Sequence, residues 1–160
     1  MEMVVVPAPA APGLRARLTD TEYRRLLEFR TGLRRFLRWS RGQAAAVGLT
    51  PTQHQLLLAI RGHDHPRGPT IGEVAGYLLL RHHSAVQLVD RASTASLVKR
   101  ARDPHDQRVV RLQLTPLGER RLEQLAALHL EELGRLLPAI RAVWSGLEDT
   151  GGPNWMQRRP

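Results

Sequence analysis

The side chains best placed for chemistry are arginines and histidines grouped on two short segments, RHHSAVQ at 81–87 and DPHDQR at 103–108. The chemistry they suit is hydrogen bonding to phosphates and base edges, because guanidinium and imidazole groups donate to such acceptors. Bond-breaking chemistry has no comparable constellation. No Ser or Asp is set against a basic partner at nucleophile spacing, no phosphate-binding glycine loop occurs, and the histidines are scattered. An enzyme is therefore the least favoured class. His63 and His65 sit in a Gly- and Pro-rich loop without a Cys or carboxylate pair at ligand spacing, so no metal and no cofactor are expected.

The elements that position these residues can be read from pattern. DPHDQR opens into VVRLQL, in which Val109, Arg111 and Gln113 alternate with Val110, Leu112 and Leu114, the period-2 signature of a half-buried strand. With the apolar and basic run LVKRAR at 97–102 before it, this predicts a β-hairpin with a basic tip. Upstream, Thr70-Ile71-Gly72-Glu73 is a capping box opening a short helix with Ile71, Val74, Ala75 and Leu78 inward. A turn near Leu79 and Leu80 leads to a second helix whose apolar stripe is Ala85, Leu88, Val89 and Ala92. Arg81, His82, His83, Ser84 and Gln87 are left facing outward near its N-terminus. An ordinary polar helix face is the competing reading, and the adjacent hairpin weakens it. Helix, turn, helix and hairpin in that order is a winged helix-turn-helix arrangement.

Long helices flank this centre. TDTE at 19–22 is a capping box with Leu18 and Tyr23 as a hydrophobic staple. Tyr23, Leu26, Leu27, Leu33, Phe36 and Leu37 then hold helical period to about Ala46, a span of roughly 40 Å. Arg30, Arg34, Arg38 and Arg41 form a second stripe, read as a solvated face with local salt bridges to residues such as Glu22 and Glu28. Thr50, Pro51 and Gln53 start a further helix that runs to about Gly62. After the hairpin, Thr115-Pro116 begins a long amphipathic helix through Leu137. Pro138 is expected to break it before a shorter segment carrying Ile140, Val143, Trp144 and Leu147. Arms longer than a small core requires imply burial in a twin subunit.

The fold class expected is therefore mainly α with a small β-hairpin wing. A single winged helix domain at 19–148, with a DNA-binding core at 49–115, carries long N- and C-terminal dimerisation helices. Residues 1–18 and 149–160, rich in Pro, Gly and Ala, are expected to be flexible tails.

Composition bounds the partners. Lys and Arg number 24 against 15 Asp and Glu, a net charge of +9, and 23 of the cations are arginine. A genome-wide arginine bias accounts for part of that excess but not for its sign, which favours nucleic acid. The chain has no cysteine, so disulfides, zinc ribbons and thiol switches are excluded. The N-terminal MEMVVVPAPAAPG fits neither a signal peptide nor a membrane span, and the expected location is a bacterial-type cytoplasm.

Between residues 20 and 147 the chain resembles the MarR family of bacterial transcriptional regulators. The resemblance is carried by LTPTQHQLLLAI at 49–60, TIGEVAGYL at 70–78, LVDR at 88–91, LVKRARDPHDQRVVRLQLT at 97–115 and PLGERRL at 116–122. The family's DxRDxR wing pattern reads here as Asp103 to Arg108, with His105 in place of the first arginine. Ser96 stands where relatives usually carry Gly just past the recognition helix, so a strained helix exit is expected.

The resemblance implies that Arg108 enters the minor groove and that Asp106 orients the wing. Arg81, His82, His83, Ser84 and Gln87 would face the major groove of double-stranded DNA. Backbone N–H groups near Thr70 and the side chains of Arg100, Arg102 and Arg111 would hold phosphates. It further implies a homodimer acting on a pseudo-palindromic operator, and control by a small organic effector lodged between the arms and the winged centre. Phe36, Trp39 and His54 are candidates to line that pocket, although aromatic residues at helical spacing are more often core. Without a thiol, the remaining switches are such a ligand or protonation of His82, His83 and His105. Two alternatives stay open: a sequence-tolerant architectural or anti-silencing DNA-binding protein, and a degenerate winged domain used only for protein interaction.

Overall fold

The computed structural model of the chain describes residues 18–144. Five helices and one hairpin follow in the order α1 (Asp20–Ala46), α2 (Pro51–Arg61), α3 (Ile71–Leu78), α4 (His82–Thr94), β1 (Val98–Arg102), β2 (Val110–Leu114) and α5 (Pro116–Trp144). Three of the helix starts are capping boxes. Thr19, Thr50 and Thr70 each accept from the backbone N–H three residues on, while Glu22, Gln53 and Glu73 reach back to the cap. Each reciprocal pair satisfies two donors that the first turn would otherwise leave open.

The core lies where α2, α3 and α4 meet the inner face of the hairpin and the start of α5. Leu56, Leu57, Val74, Val89, Leu97, Leu112 and Leu125 are fully buried there. Each such side chain contributes about 1.5–3 kcal/mol by leaving water. β1 and β2 pair antiparallel with Val98 opposite Leu114 and Arg100 opposite Leu112. The alternation expected from the sequence holds, since Leu112 and Leu114 are buried and Arg111 and Gln113 lie on the other face. Thr70 bridges to Arg111, and Leu112 N–H donates to Pro69 O at 2.8 Å, so the segment before α3 is stitched to the hairpin.

The left-handed backbone positions sit at the turns. Gly68 has φ +84° and approaches so closely that an added Cβ would stand 2.0 Å from Leu112 O. Ser96, just past α4, has φ +56°, so the strained exit expected from the missing glycine is present. Leu79, in the turn between α3 and α4, has φ +53° and is 92% exposed.

α5 departs from expectation: it continues through Pro138 to Trp144 without the anticipated break. Proline removes one N–H and crowds the carbonyl four residues earlier. That residue is Gly134, exposed and without a side chain, which leaves its freed carbonyl open to water. The side chains of Ile140, Val143 and Trp144, together with Leu147 and both expected tails apart from Leu18, lie outside the described residues.

Packed singly, the arms leave apolar stripes uncovered. Tyr23, Leu26, Leu27, Leu33 and Leu37 on α1 and Leu128, Leu130, Leu133 and Leu137 on α5 are all exposed. Among the described residues no helix is long and apolar enough to cross a membrane.

Candidate nucleic-acid interface

α4 is amphipathic in the register expected: Ala85, Leu88, Val89 and Ala92 are buried, and Arg81, His82, His83 and Gln87 are exposed, with Ser84 half-buried. Arg81 is the N-cap and makes no side-chain capping bond. The first turn of α4 therefore presents backbone donors and polar side chains in one place. That is the end of a helix which favours contact with anionic acceptors.

The hairpin stands beside this helix because Arg100 on β1 donates to Asp90 on α4 at 2.6 Å. The pair holds the wing against the helix. The expected phosphate contact of Arg100 would have to share its guanidinium with that carboxylate. Arg102 is exposed and reaches Gln107 O at 3.5 Å, a weak contact that leaves most of its donors open.

The wing loop is organised from below. Asp103 N–H donates to Val109 O, closing the loop, and the Asp103 carboxylate accepts from His105 N–H at 2.9 Å and from Arg111 Nε at 2.6 Å. The Arg111 hydrogen bond, then the His105 backbone N–H, hold the Asp103 carboxyl down to about 2; the charges of Arg111 and Arg67 add to this. Asp106 shapes the tip, accepting from Arg108 N–H at 3.0 Å. Arg108 is exposed, and its guanidinium makes no hydrogen bond or ion pair with the described residues.

Two residues expected to hold phosphate are placed otherwise. Arg111 is half-buried and engaged with Asp103 and with Gly68 O at 3.1 Å, so it braces the wing's root. The Thr70 N–H is taken by Glu73 Oε2 at 2.7 Å, which leaves the amides of Ile71 and Gly72 as open donors at the start of α3. His105 also has a partner that pattern did not foresee: Arg67 Nη2 lies 3.4 Å from its Nε2.

Arg67, Asp90 and the bracing role of Asp103 were not found from sequence. Only Asp103 carried a signal, as the first residue of an Asp-Pro turn. The loop histidines are occupied by hydrogen bonds, His63 with Tyr77 Oη at 2.9 Å and His65 as acceptor from Arg67 N–H.

The candidate effector residues come together at the junction of α1, α2 and α5. Phe36, Trp39 and His54 surround His129 with ring centroids 5.8, 4.9 and 4.7 Å from it. His129 spans Leu125 O at 2.8 Å and Ser40 Oγ at 2.7 Å. Burial, and then the facing His129, lowers the pKa of His54 below its ordinary value.

A sequence profile described as MarR family matches residues 47–109, the stretch from the end of α1 to the wing. Over those residues the winged centre is similar to the MarR family. A curated relative of this MarR-type domain, an uncharacterised HTH-type transcriptional regulator (YsmB) of Bacillus subtilis (strain 168), is 41% identical over 64 residues. That match covers 40% of this chain and 44% of the relative, less than half of its length. A MarR family protein of Bacillus stearothermophilus is similar in structure with a TM-score of 0.64 and 25% identity, over 76% of this chain and 83% of that one. The MepR–DNA complex of S. aureus shares the MarR fold with a TM-score of 0.59 and 19% identity, over 76% of this chain and 85% of that one.

Proposed function

We propose that this chain is a sequence-specific, DNA-binding transcriptional regulator that acts as a homodimer. The observation that carries the reading is the shared exposure of His82, His83 and Gln87 on α4 and of Arg108 at the wing tip, on two elements tied by the Arg100–Asp90 pair. A helix supplies base-edge contacts in the major groove, and a guanidinium suits the stronger negative potential of the adjacent minor groove. The similarity in fold to the DNA-bound S. aureus MepR supports the reading.

The working unit is a single winged helix domain at 19–148 with its DNA-binding core at 49–115. Arg81 and Ser84 assist at the start of α4, and Arg102, His105 and the α3 amides hold phosphate. Asp106 orients Arg108, while Arg100 and Arg111 keep the wing in place. The exposed stripes on α1 and α5 pair with those of a second copy, and the two-fold axis selects a pseudo-palindromic operator. A small organic effector at Phe36, Trp39 and His54 relieves repression.

The test is binding to the DNA that flanks this gene's own promoter, read by fluorescence anisotropy and footprinting. The expected result is protection of two half-sites about 34 Å apart, with affinity well above that for scrambled DNA. A steep salt dependence with equal affinity for scrambled sequence would replace this reading with the architectural one.

A further inference from the structure

Behind the wing is a cleft of about 330 Å³ that the DNA contacts do not use. Lys99 and Gln113 pair across the hairpin and point to the face opposite Arg100, because successive strand residues alternate sides. Arg100 faces α4, so Lys99 and Gln113 line the cleft from the face of the hairpin away from the proposed recognition helix. Arg61 at the end of α2, Lys99 on β1 and Arg67 in the α2–α3 loop bring three permanent cations to its wall. His63 and His65 also line it, and Glu119 is the one carboxylate among the described lining residues.

Neither Arg61 nor Lys99 has an ion pair among the described residues. Arg67 is held loosely. Among the described residues its Nη1 is buried without a hydrogen-bond partner, 3.7 Å from Asp103 Oδ1, and its one side-chain hydrogen bond is the long one to His105. A buried donor without a partner costs stability, so this guanidinium gains by turning to a stronger acceptor. Arg111, on the same carboxylate at 2.6 Å, is held far more firmly.

We propose that this cleft binds a small oxyanion carrying two or more negative charges, and that Arg67 links its occupancy to the wing. Guanidinium groups at two walls and an ammonium at a third match such an anion, and the volume admits a small metabolite. An anion that draws Arg67 from Asp103 and His105 removes one of two cations from the wing's root, while Arg111 keeps the fold. The consequence for DNA affinity rests on the function proposed above; binding of the anion does not.

The experiment uses the full chain without DNA, titrated in low salt with pyrophosphate as the phosphoryl probe and citrate as the carboxylate probe. Backbone amide resonances report the location. The expected result is saturable binding of at least one probe, with shifts at Arg67, Lys99 and Gln113 that extend to Asp103 and His105. Arg61→Gln and Lys99→Gln should each weaken it about tenfold without changing the melting temperature. Shifts confined to α4 and the wing tip, or no saturable binding of either probe, would overturn the site. Unchanged affinity in both variants would overturn it as well. Arg67→Gln separates the link from the site: weakened but still saturable binding, with shifts at Lys99 and Gln113 and none at Asp103 and His105, is expected. Shifts that persist there without Arg67 would refute the coupling.

Discussion

Arg111 Nε donates to Asp103 Oδ2 at 2.6 Å, and this pairing joins the two ends of the wing loop to each other and, through Gly68 O, to the loop before α3. It separates the cations of the hairpin into those that build the wing and those left for a partner. Arg111 belongs to the first group and Arg108 to the second.

The pair sets an acid limit on the wing. Asp103 titrates near 2 in the folded chain against an ordinary value of 3.8, so the folded state binds its proton less readily. The stabilisation is complete above 3.8 and is lost as pH falls from there through about 2. Amide resonances of Asp103 and His105 should move within that window in the native chain and stay flat in Asp103→Asn. A native midpoint at the ordinary carboxylate value would show the pairing to be absent in solution.

Arg108→Ala should weaken operator binding by about 1–3 kcal/mol per subunit and leave the melting temperature nearly unchanged, because the side chain is exposed at the wing tip. Arg111→Ala should lower both. Anisotropy and thermal unfolding on the two variants give the comparison. Equal operator affinity in Arg108→Ala would remove the wing tip from the interface.

Ser96→Gly should stabilise the fold by about 1 kcal/mol, since a left-handed residue with a Cβ costs roughly that much. For a chain of this size the melting temperature should rise by about 2–4 °C. Gly68→Ala should act in the opposite direction, because its Cβ meets Leu112 O at 2.0 Å. A fall in melting temperature for Ser96→Gly would mean that the serine side chain contributes more than its backbone costs.

His54 makes the α1–α2–α5 junction sensitive to mild acid. Its pKa in the folded chain lies below 6.5, so the unfolded chain takes up the proton first. Its contribution is whole above 6.5 and is lost as pH drops through the lowered folded value. Denaturant midpoints at pH about 8 and about 5 should differ less in His54→Leu than in the native chain. An unchanged difference would acquit His54.

The chain should be a homodimer at low micromolar concentration, because a lone subunit exposes the leucines of both α1 and α5. Sedimentation that finds a folded monomer there would remove the twin-subunit reading. It would leave the winged centre intact.

Capping boxes at Thr19, Thr50 and Thr70, the stripe Ala85, Leu88, Val89 and Ala92, and the alternation of 109–114 were all legible from residue order. Each is a local signal, written within a few residues by hydrogen-bond geometry or by side-chain period. Pro138 misled because its cost falls on an exposed stretch of helix, where water can take the Gly134 carbonyl that loses its N–H partner.

The sequence by itself thus determined the elements, their order and the outward face of α4, since these depend on neighbours in the chain. Tertiary structure alone decided which cations remain for a partner. Arg100 meets Asp90 across 10 positions, Arg111 meets Gly68 across 43, and His129 meets Ser40 across 89. A charge's role is set by the nearest opposite charge or acceptor in space, and only packing brings such distant residues within hydrogen-bond reach.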